Sequence, residues 1–537
     1  MSETIEIHNA RRLDGTPTAV TFRDGRILAG GTPDRRIDAG GRVLLPGLCE
    51  SHLHLFPGGV TLDQLCLLGI DNAEDASAAL IAYRKGHEGE PLLGTWSANY
   101  EILGPGTRPD RHALDRIVPD QPLLMLAVDL HTAWANTAAL TAAGLMAHVP
   151  EVVNAEVVLG PDGKPNGELR EGNAMRLVSR LSVTGGREGI CMAGEEPENV
   201  TPAQRAADKA ALRRALDTCA AFGITTAVNM DGNLYQADLL TEMAMADELP
   251  IRVSLPMRIV GGHSDARVAE LIEAACRPPV GMLSFGRIKM FMDGVFDTWT
   301  ALRTDDYPGR PGFRSHPLFE PARFADICTR ADAKGLNIQV HCVGDGAVRA
   351  TLDGYAAARA ANGARDARHR IEHIDMLHPD DLPRIVDLGV VASMQPVHPP
   401  GSSGLPLEPT VSIMGRNRWK DAFPWKALRD AGVPLAFGTD WPTAPLSPFN
   451  AIHSTLSRQP WAADVPDQRI PFEAVFAAYT EGGAYPLFAE TERGRLDPGM
   501  AADMTLLDGN PRDLAQSADA CRAVLTICAG RIVHEAS

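Results

Sequence analysis

The sequence lacks the features that mark membrane-spanning and exported proteins. No apolar run approaches the roughly 18 residues needed to span a bilayer, although apolar residues make up 45% of the composition. The opening stretch MSETIEIHNARRLDG has early acidic residues and no continuous apolar core, so neither a secretory signal nor a transit peptide is predicted. We therefore expect a cytoplasmic protein that has no membrane partner.

Paired cysteines and excess positive charge are also missing. The nine cysteines are scattered, odd in number and without a CxxC pair, which suits a reducing compartment. The 51 Lys and Arg residues against 68 Asp and Glu residues leave a formal charge of −17, which repels phosphate backbones. A nucleic-acid partner is not expected. The expected partner is a small-molecule substrate, and a homo-oligomer such as a dimer stays open.

The two ends of the chain share a β-strand texture. Asp24-Gly25 stands between two β-prone runs, a two-residue hairpin signal. Near the other end, RGRLDPGMAADMTLLDGN and RAVLTICAGRIVHEA contain short apolar strands punctuated by Gly and Pro. These patterns predict one small β-sandwich domain that is built from residues 1–47 and 488–537.

The middle of the chain alternates short apolar runs with helical stretches, as βαβ units do. Seven strands are predicted between Gly223 and Asp440: ITTAVNM, PIRVSLPMRI, RIKMFMD, NIQVHC, HRIEHI, VVASMQP and PLAFGTD. VLLPGLCESHLHL, near residue 50, supplies an eighth. The predicted fold class is therefore α/β, with a (β/α)8 TIM barrel over residues 48–487. About 170 residues separate the first two strands, so an inserted subdomain is predicted at roughly 75–200.

Metal-binding residue types stand at the ends of five predicted strands. His52 and His54 are two residues apart, which places both imidazoles on one side of a strand. Taken alone, such a pair is about as often incidental as functional. However, the carboxyl ends of barrel strands are where barrel enzymes place their active sites.

Lys289 lies among apolar residues of the strand RIKMFMDG, where an ammonium group would lose its hydration. A special role is one interpretation. The alternative, favoured from this residue alone, is an ion pair with Asp293 on the same strand.

Three further strands end in His341, His373 and Asp440. Each has a structural alternative, since the histidines could be satisfied core residues and Asp440 could cap a helix. Taken together, these ligand types at one end of five strands predict a catalytic metal site with an open coordination position. Asp440 could bind metal and also accept a proton from water.

The sequence resembles the amidohydrolase superfamily, whose pattern is HxH on strand one, Lys on strand four, His on strands five and six, and Asp on strand eight. DLHTAWANTAAL, PNGELREG, IKMFMDG, HCVGDGAV, IEHIDML and GTDWP resemble the amidohydrolase family 3 branch that includes N-substituted formamide deformylases. The tail segment GRLDPGMAADMTLLD is similar to the C-terminal signature of the family.

The resemblance implies one or two divalent metal ions, with Zn²⁺ expected, and a Lys289 that is carboxylated by CO2 and bridges them. One ion would be held by His52, His54, Lys289 and Asp440, and the other by Lys289, His341 and His373. Metal-activated hydroxide would then cleave an amide, formamide or cyclic amide C–N bond, with Asp440 as the catalytic proton carrier. Ester or lactone hydrolysis, isomerisation, decarboxylation and a non-catalytic barrel stay open as alternatives.

Six residues are candidates for substrate binding. Asp129, His131 and Glu171 match motifs of the family 3 branch. Trp299 stands where that branch often has a Gly-Ser-rich stretch. His398 and Trp441 lie on predicted loops at the catalytic end. Structural alternatives stay open, because Asp129 and His131 could join a strand to a helix and Trp441 could be core packing.

Overall fold

The structure is a computed structural model, and it describes residues 3–128, 132–152 and 155–536. The chain divides into two compact units. The first comprises Met1–His54 and Leu216–Ser537, and the second comprises Leu55–Ala215.

Strands from both chain ends form one eight-stranded sheet in the first unit. They are Ile5–Arg11, Pro17–Arg23, Arg26–Ile27, Arg35–Asp38, Val43–Pro46, Met504–Gly509, Cys521–Cys528 and Arg531–Glu535. The two ends meet where Val43–Pro46 pairs antiparallel with Met504–Gly509, with Pro46 opposite Met504. Strands from both ends of the chain therefore belong to one sheet.

The predicted Asp24-Gly25 hairpin is confirmed. It joins the antiparallel strands Pro17–Arg23 and Arg26–Ile27, and its two residues have φ values of 51° and 73°. Positive φ at both turn positions is the requirement that Asp-Gly meets well. Beneath this sheet lies an apolar cluster that draws on both chain ends, including Ile7, Phe22, Leu44, Met504 and Ile527.

The first unit also contains two parallel sheets. One consists of Leu48–Leu53, Ile224–Asn229, Arg252–Ser254 and Leu283–Ser284. The other consists of Met257–Arg258, Arg287–Phe291, Asn337–Cys342, Arg370–His373, Val391–Met394 and Leu435–Phe437. All eight predicted segments contain a strand. The segment PIRVSLPMRI contains two short strands that flank Pro256, a residue with no N–H to donate to a ladder.

The ends of the first and last of these eight segments are joined by backbone hydrogen bonds. Asp440 N donates to His52 O at 2.8 Å, and His54 N donates to Trp441 O at 2.8 Å. Leu53 and Trp441 form a parallel bridge between them. Parallel strands with intervening helices give the α/β architecture of the TIM-barrel type.

Helices follow most of these parallel strands. In the first unit they are Leu234–Met245, Asp265–Ala275, Pro321–Ala333, Asp345–Asn362, Leu382–Asp387, Thr410–Met414, Trp425–Asp430, Pro448–Ser457, Phe472–Tyr479 and Glu481–Ala484. Five 3-10 helices complete the described set: Pro379–Asp381, Arg416–Asp421, Tyr485–Leu487, Pro511–Ala515 and Ala518–Ala520.

The second unit is a six-stranded mixed sheet with helices. Its strands, in spatial order, are Glu156–Leu159, Pro165–Arg170, Thr132–Ala135, Leu123–Ala127, Leu93–Ala98 and Leu65–Cys66. Its helices are Leu55–Thr61, Ala73–Gly86, Arg111–Ile117, Thr137–Ala142, Glu171–Ser179 and Arg187–Met192, and a further helix, Pro202–Ala221, contains the division at Ala215. Leu80, Leu114 and Trp134 belong to one of its apolar cores.

Across the described ranges, no helix has both the length and the apolar character that crossing a bilayer requires.

Candidate metal centre

Asp440 lies beside both histidines of the HxH pair. Asp440 Oδ1 is 3.2 Å from His52 Nε2 and 3.0 Å from His54 Nε2. All three residues are buried, with at most 8% of each exposed. The distances are short, yet among the described residues Asp440 Oδ1 accepts no aligned hydrogen bond.

The spacing of these three donors fits a metal ion. Zinc binds imidazole nitrogen at about 2.0–2.1 Å, so tetrahedral ligands lie roughly 3.3–3.4 Å apart. The observed separations of 3.2 and 3.0 Å are close to that value, and the atoms do not point at one another as hydrogen-bonding groups would. Because buried polar atoms are normally satisfied, this convergence indicates a cation site rather than a hydrogen-bond network.

A carboxylate contacts the other ring nitrogen of His52. His52 Nδ1 lies 2.8 Å from Glu372 Oε2. Arg370 donates from Nε to Glu372 Oε1 at 2.9 Å and from Nη2 to Glu372 Oε2 at 2.8 Å. Burial opposes the charge of Glu372, but the guanidinium group of Arg370 keeps the pKa of this carboxyl well below its usual range. An ionised Glu372 orients the ring so that His52 Nε2 faces Asp440, as in the carboxylate–histidine pairs that support metal ligands.

His54 has a comparable carboxylate neighbour. Its Nδ1 lies 3.6 Å from Asp231 Oδ1 while its Nε2 faces Asp440. Burial disfavours the imidazolium form, but the carboxylates of Asp231 and Asp440 outweigh it and raise the pKa of His54 to about 9. Burial opposes ionisation of Asp440, but the imidazoles of His52 and His54 hold the pKa of this carboxyl well below its usual range. A divalent cation at these donors would displace the proton of His54, since metal binding to histidine releases protons.

Lys289 is fully buried, near the carboxylates of Glu372 and Asp440. Among the described residues its Nζ has no hydrogen-bond partner, and it lies 4.6 Å from the centre of the Phe291 ring. Burial lowers the pKa of Lys289 to about 8. The alternative of an ion pair with Asp293 is wrong, because that carboxylate accepts the backbone N–H groups of Leu302, Val343 and Gly344 at 2.8–3.0 Å.

His341 and His373 complete a cluster of rings. Ring centres are 4.4 Å apart for His341 and His373 and 4.7 Å apart for His52 and His373. His341 Nε2 lies 3.1 Å from the carbonyl oxygen of Gly294. Burial lowers the pKa of His341 to about 3 and that of His373 well below its ordinary value, so both rings are neutral, the form that binds metals.

Two of the clustered residues have strained backbones. His373 has φ of 77° and Asp440 has φ of 61°, and non-glycine residues rarely occupy this region. Such conformations concentrate at functional sites, where the surrounding structure maintains them. The helix-cap alternative for Asp440 is wrong, since the next helix begins at Pro448 with Ser447 at its N-cap position.

The predicted substrate residues fall in different places. His398 is brought to the cluster, with its Nε2 at 3.6 Å from Asp440 Oδ2, and the buried Trp441 follows Asp440 directly. Trp299 is half-buried in the loop after Arg287–Phe291, where the Arg310 guanidinium lies 4.1 Å from its ring centre. Glu171 lies in the second unit, at the start of the helix Glu171–Ser179. Asp129 and His131 lie outside the described residues.

Sequence reasoning missed the supporting carboxylates Glu372 and Asp231. Strand alternation places Glu372 and His373 on opposite faces, yet both contact His52. The left-handed backbone of His373 interrupts the alternation, and no sequence pattern predicts that conformation. Asp231 offered a usable signal, because it follows the strand Ile224–Asn229 just as the other site residues follow theirs.

Comparisons with known proteins found relatives that match most of the chain. The chain is 29% identical over 518 residues to the protein LONG AFTER FAR-RED 3 of Arabidopsis thaliana, covering 92% of this chain and 84% of the relative. It is 25% identical over 542 residues to the N-substituted formamide deformylase of Arthrobacter pascens, covering 94% and 93%. The crystal structure of an uncharacterized metal-dependent hydrolase from Pyrococcus furiosus is similar in fold, with TM-score 0.72, 22% identity and coverage of 95% and 99%.

The model of the amidohydrolase family matches residues 35–534. This match takes in both parallel sheets and every described residue of the cluster. The chain therefore belongs to the amidohydrolase family and is a hydrolase of carbon–nitrogen bonds.

Proposed function

We propose that this protein is a metal-dependent amidohydrolase that cleaves the C–N bond of a small amide, formamide or cyclic amide. The observation that carries the proposal is the convergence of His52 Nε2, His54 Nε2 and Asp440 Oδ1 without aligned hydrogen bonds. Three ligands with an open position are typical of catalytic rather than structural metal sites.

Zinc is the ion that we expect, because imidazole nitrogens and a carboxylate are donors it prefers. We assign one ion to His52, His54, Lys289 and Asp440, and a second to Lys289, His341 and His373. Carboxylation of Lys289 by CO2 would give this side chain the two oxygens that a bridging role needs. Its complete burial and lowered pKa support this assignment, since both favour the neutral amine that reacts with CO2.

A bound divalent ion supplies Lewis acidity and lowers the pKa of water. The chain itself must supply a proton carrier, and Asp440 suits this role because its carboxylate is held ionised inside the cluster. Asp440 would take a proton at a carboxylate oxygen from the attacking water and deliver it to the leaving nitrogen. Glu372 and Arg370 hold His52 in place during this transfer.

For the substrate, the formamide deformylase relative points to N-formyl amines, and we propose these together with N-acyl amines as the first compounds to test. Trp299, Trp441 and Glu171 remain our proposed substrate contacts, as do Asp129 and His131. We also propose that the eight parallel strand segments close into a (β/α)8 barrel at residues 48–487, with an insertion near 75–200 and a terminal β-sandwich of residues 1–47 and 488–537. The bridge between Leu53 and Trp441 supports closure.

The test is a screen of N-formyl, N-acyl and cyclic amides with zinc-loaded enzyme, in which release of the free amine or ring-opened product is measured. The matched esters and lactones are run in parallel. We expect turnover of at least one amide class that is lost in the Asp440→Asn variant. Turnover of esters or lactones alone would overturn the C–N assignment.

A further inference from the structure

The geometry points to His398 as a metal ligand that, with His373 and Asp440, forms a second ligand group on the far side of the Asp440 carboxylate. This inference rests on the proposed function, because it needs the cluster to bind metal. It assigns to His398 a role different from the substrate contact that its sequence position indicates.

The three side chains present their donor atoms to one another. One ligand atom from each of His373, His398 and Asp440 lies within 4.8 Å of the other two. His398 Nε2 is 3.6 Å from Asp440 Oδ2, near the roughly 3.3–3.4 Å between ligands of a tetrahedral zinc ion. The rings of His373 and His398 stack nearly parallel, with an interplanar angle of 10° and centres 5.7 Å apart.

The nitrogen atoms involved are also unsatisfied. Neither His373 Nδ1 nor His398 Nε2 has a hydrogen-bond partner among the residues that the structure describes, and both atoms are shielded from solvent. Buried polar atoms in proteins are normally satisfied, so two unpaired imidazole nitrogens within one ligand group fit a cation-binding role. A cation accepts lone pairs from both nitrogens at once, which neither histidine can do for the other.

Asp440 can serve both ligand groups because its two oxygens face different histidines. Oδ1 lies beside His52 and His54, while Oδ2 lies beside His398. A carboxylate with one oxygen towards each group suits two ions about 3.5–4 Å apart, the usual spacing in two-metal sites. The Asp440 carboxylate could therefore contribute an oxygen to either ligand group.

The loop that carries His398 has few conformations open to its backbone. His398 N donates to Gln395 O at 3.0 Å, and Pro396, Pro399 and Pro400 flank the histidine. Proline fixes φ and so reduces the conformations that the loop can adopt before it binds. A ligand held in this way loses little entropy on coordination, which favours a metal-binding role over that of a mobile substrate contact.

The test measures metal binding directly. Apo protein is titrated with Co²⁺, with visible absorption for coordination geometry and elemental analysis for stoichiometry. We expect His398→Ala to weaken binding of one ion at least about 10-fold and to change the Co²⁺ spectrum. His398→Asp, which keeps a ligating group, should restore much of that affinity. His453→Ala removes a histidine whose Nδ1 faces Leu514 O and should change neither readout.

Three outcomes separate the claims. Co²⁺ affinity, stoichiometry and spectrum that are unchanged in His398→Ala, with only KM raised, would overturn the inference and return His398 to a substrate contact. The same loss in His398→Asp as in His398→Ala would also count against a ligand role. A wild-type protein that binds no Co²⁺ or Zn²⁺ would instead overturn the proposed function.

Discussion

The strand Arg370–His373 runs between two buried histidine–carboxylate contacts that differ in one respect. At its start, His369 Nε2 lies 3.3 Å from Asp332 Oδ1, and Ile338 N donates to His369 Nδ1 at 3.1 Å. Asp332 also accepts hydrogen bonds from Arg365 at 2.7 Å and Asn362 at 2.8 Å. Every polar atom named in this first contact has a partner.

At the other end of the strand, the histidine–carboxylate contact leaves several buried polar atoms without hydrogen-bond partners among the described residues. His373 Nδ1, His398 Nε2 and Asp440 Oδ1 are buried and have no aligned partner in the described part of the chain. Lys289 Nζ shares this property. A buried histidine–carboxylate pair is therefore not itself a signal of function. The signal is the convergence of several such unsatisfied atoms on one carboxylate.

The largest expected effect is on kcat, and it should come from the Asp440→Asn variant of the metal-binding cluster. This change removes the proposed proton carrier while preserving size, and proton transfer by a placed group contributes about 10²–10⁴-fold to rate. We expect kcat to fall by about that factor in zinc-saturated enzyme. Steady-state kinetics on the substrate found by the screen provide the measurement. A kcat within about threefold of the wild type would remove Asp440 from the chemistry.

A smaller effect is expected for Glu372→Gln, which acts through His52. Loss of the carboxylate releases the ring that Glu372 orients, and comparable changes weaken metal binding by about 10–100-fold. Competition with a chelator of known affinity measures this change. Since Arg370 also donates to Ser51 O and Ser393 Oγ, the fold should persist, which circular dichroism checks. Unaltered metal affinity would show that His52 needs no such support.

The fully hydrogen-bonded contact between His369 and Asp332 should affect stability and leave metal binding unchanged. Asp332→Asn disturbs a satisfied network, so we expect a loss of about 1–3 kcal/mol in the free energy of unfolding. Metal content and kcat/KM should stay at wild-type values. Urea unfolding and elemental analysis of the same preparation test both statements. A loss of bound metal in this variant would erase the distinction between the two contacts.

The smallest expected effect is on the pH dependence of the folding stability that Asp332 contributes. Burial opposes ionisation of Asp332, but hydrogen bonds from His369, Asn362 and Arg365 lower its pKa below the ordinary value near 4. A lowered carboxyl pKa in the folded protein stabilises it above about pH 4, and this contribution is lost as the pH falls through the folded value. The stability difference between wild type and Asp332→Asn should therefore shrink below pH 4. A difference that is constant from pH 7 to pH 3 would contradict this origin.

Much of the fold was predictable because strand signals are local. Runs such as NIQVHC and ITTAVN are rich in apolar and β-branched residues, and each forms the predicted strand. The Asp24-Gly25 turn was predictable for the same reason, since two residues suffice to specify it. The pairing of Val43–Pro46 with Met504–Gly509 depends on residues more than 450 positions apart, and only the similar texture of the two ends indicated it.

The candidate site was predictable as a set of strand ends but not as a set of contacts. His52, His54 and Asp440 were identified from their positions, and the structure brings them together. The positions of Glu372 and His398 depend on the left-handed backbone at His373 and on a proline-flanked loop. Both are conformations that tertiary packing imposes, so sequence patterns located His398 only at the catalytic end and did not predict the contacts of either side chain.

Elemental analysis of the purified protein, followed by chelation and metal addition with hydrolysis assayed at each stage, decides whether this cluster is a catalytic metal site. We expect one or two equivalents of a divalent metal, loss of C–N bond hydrolysis on chelation, and recovery with Zn²⁺. Protein that contains no zinc, manganese or iron, and that hydrolyses nothing after any of these ions is added, would show that the cluster is not a catalytic metal site.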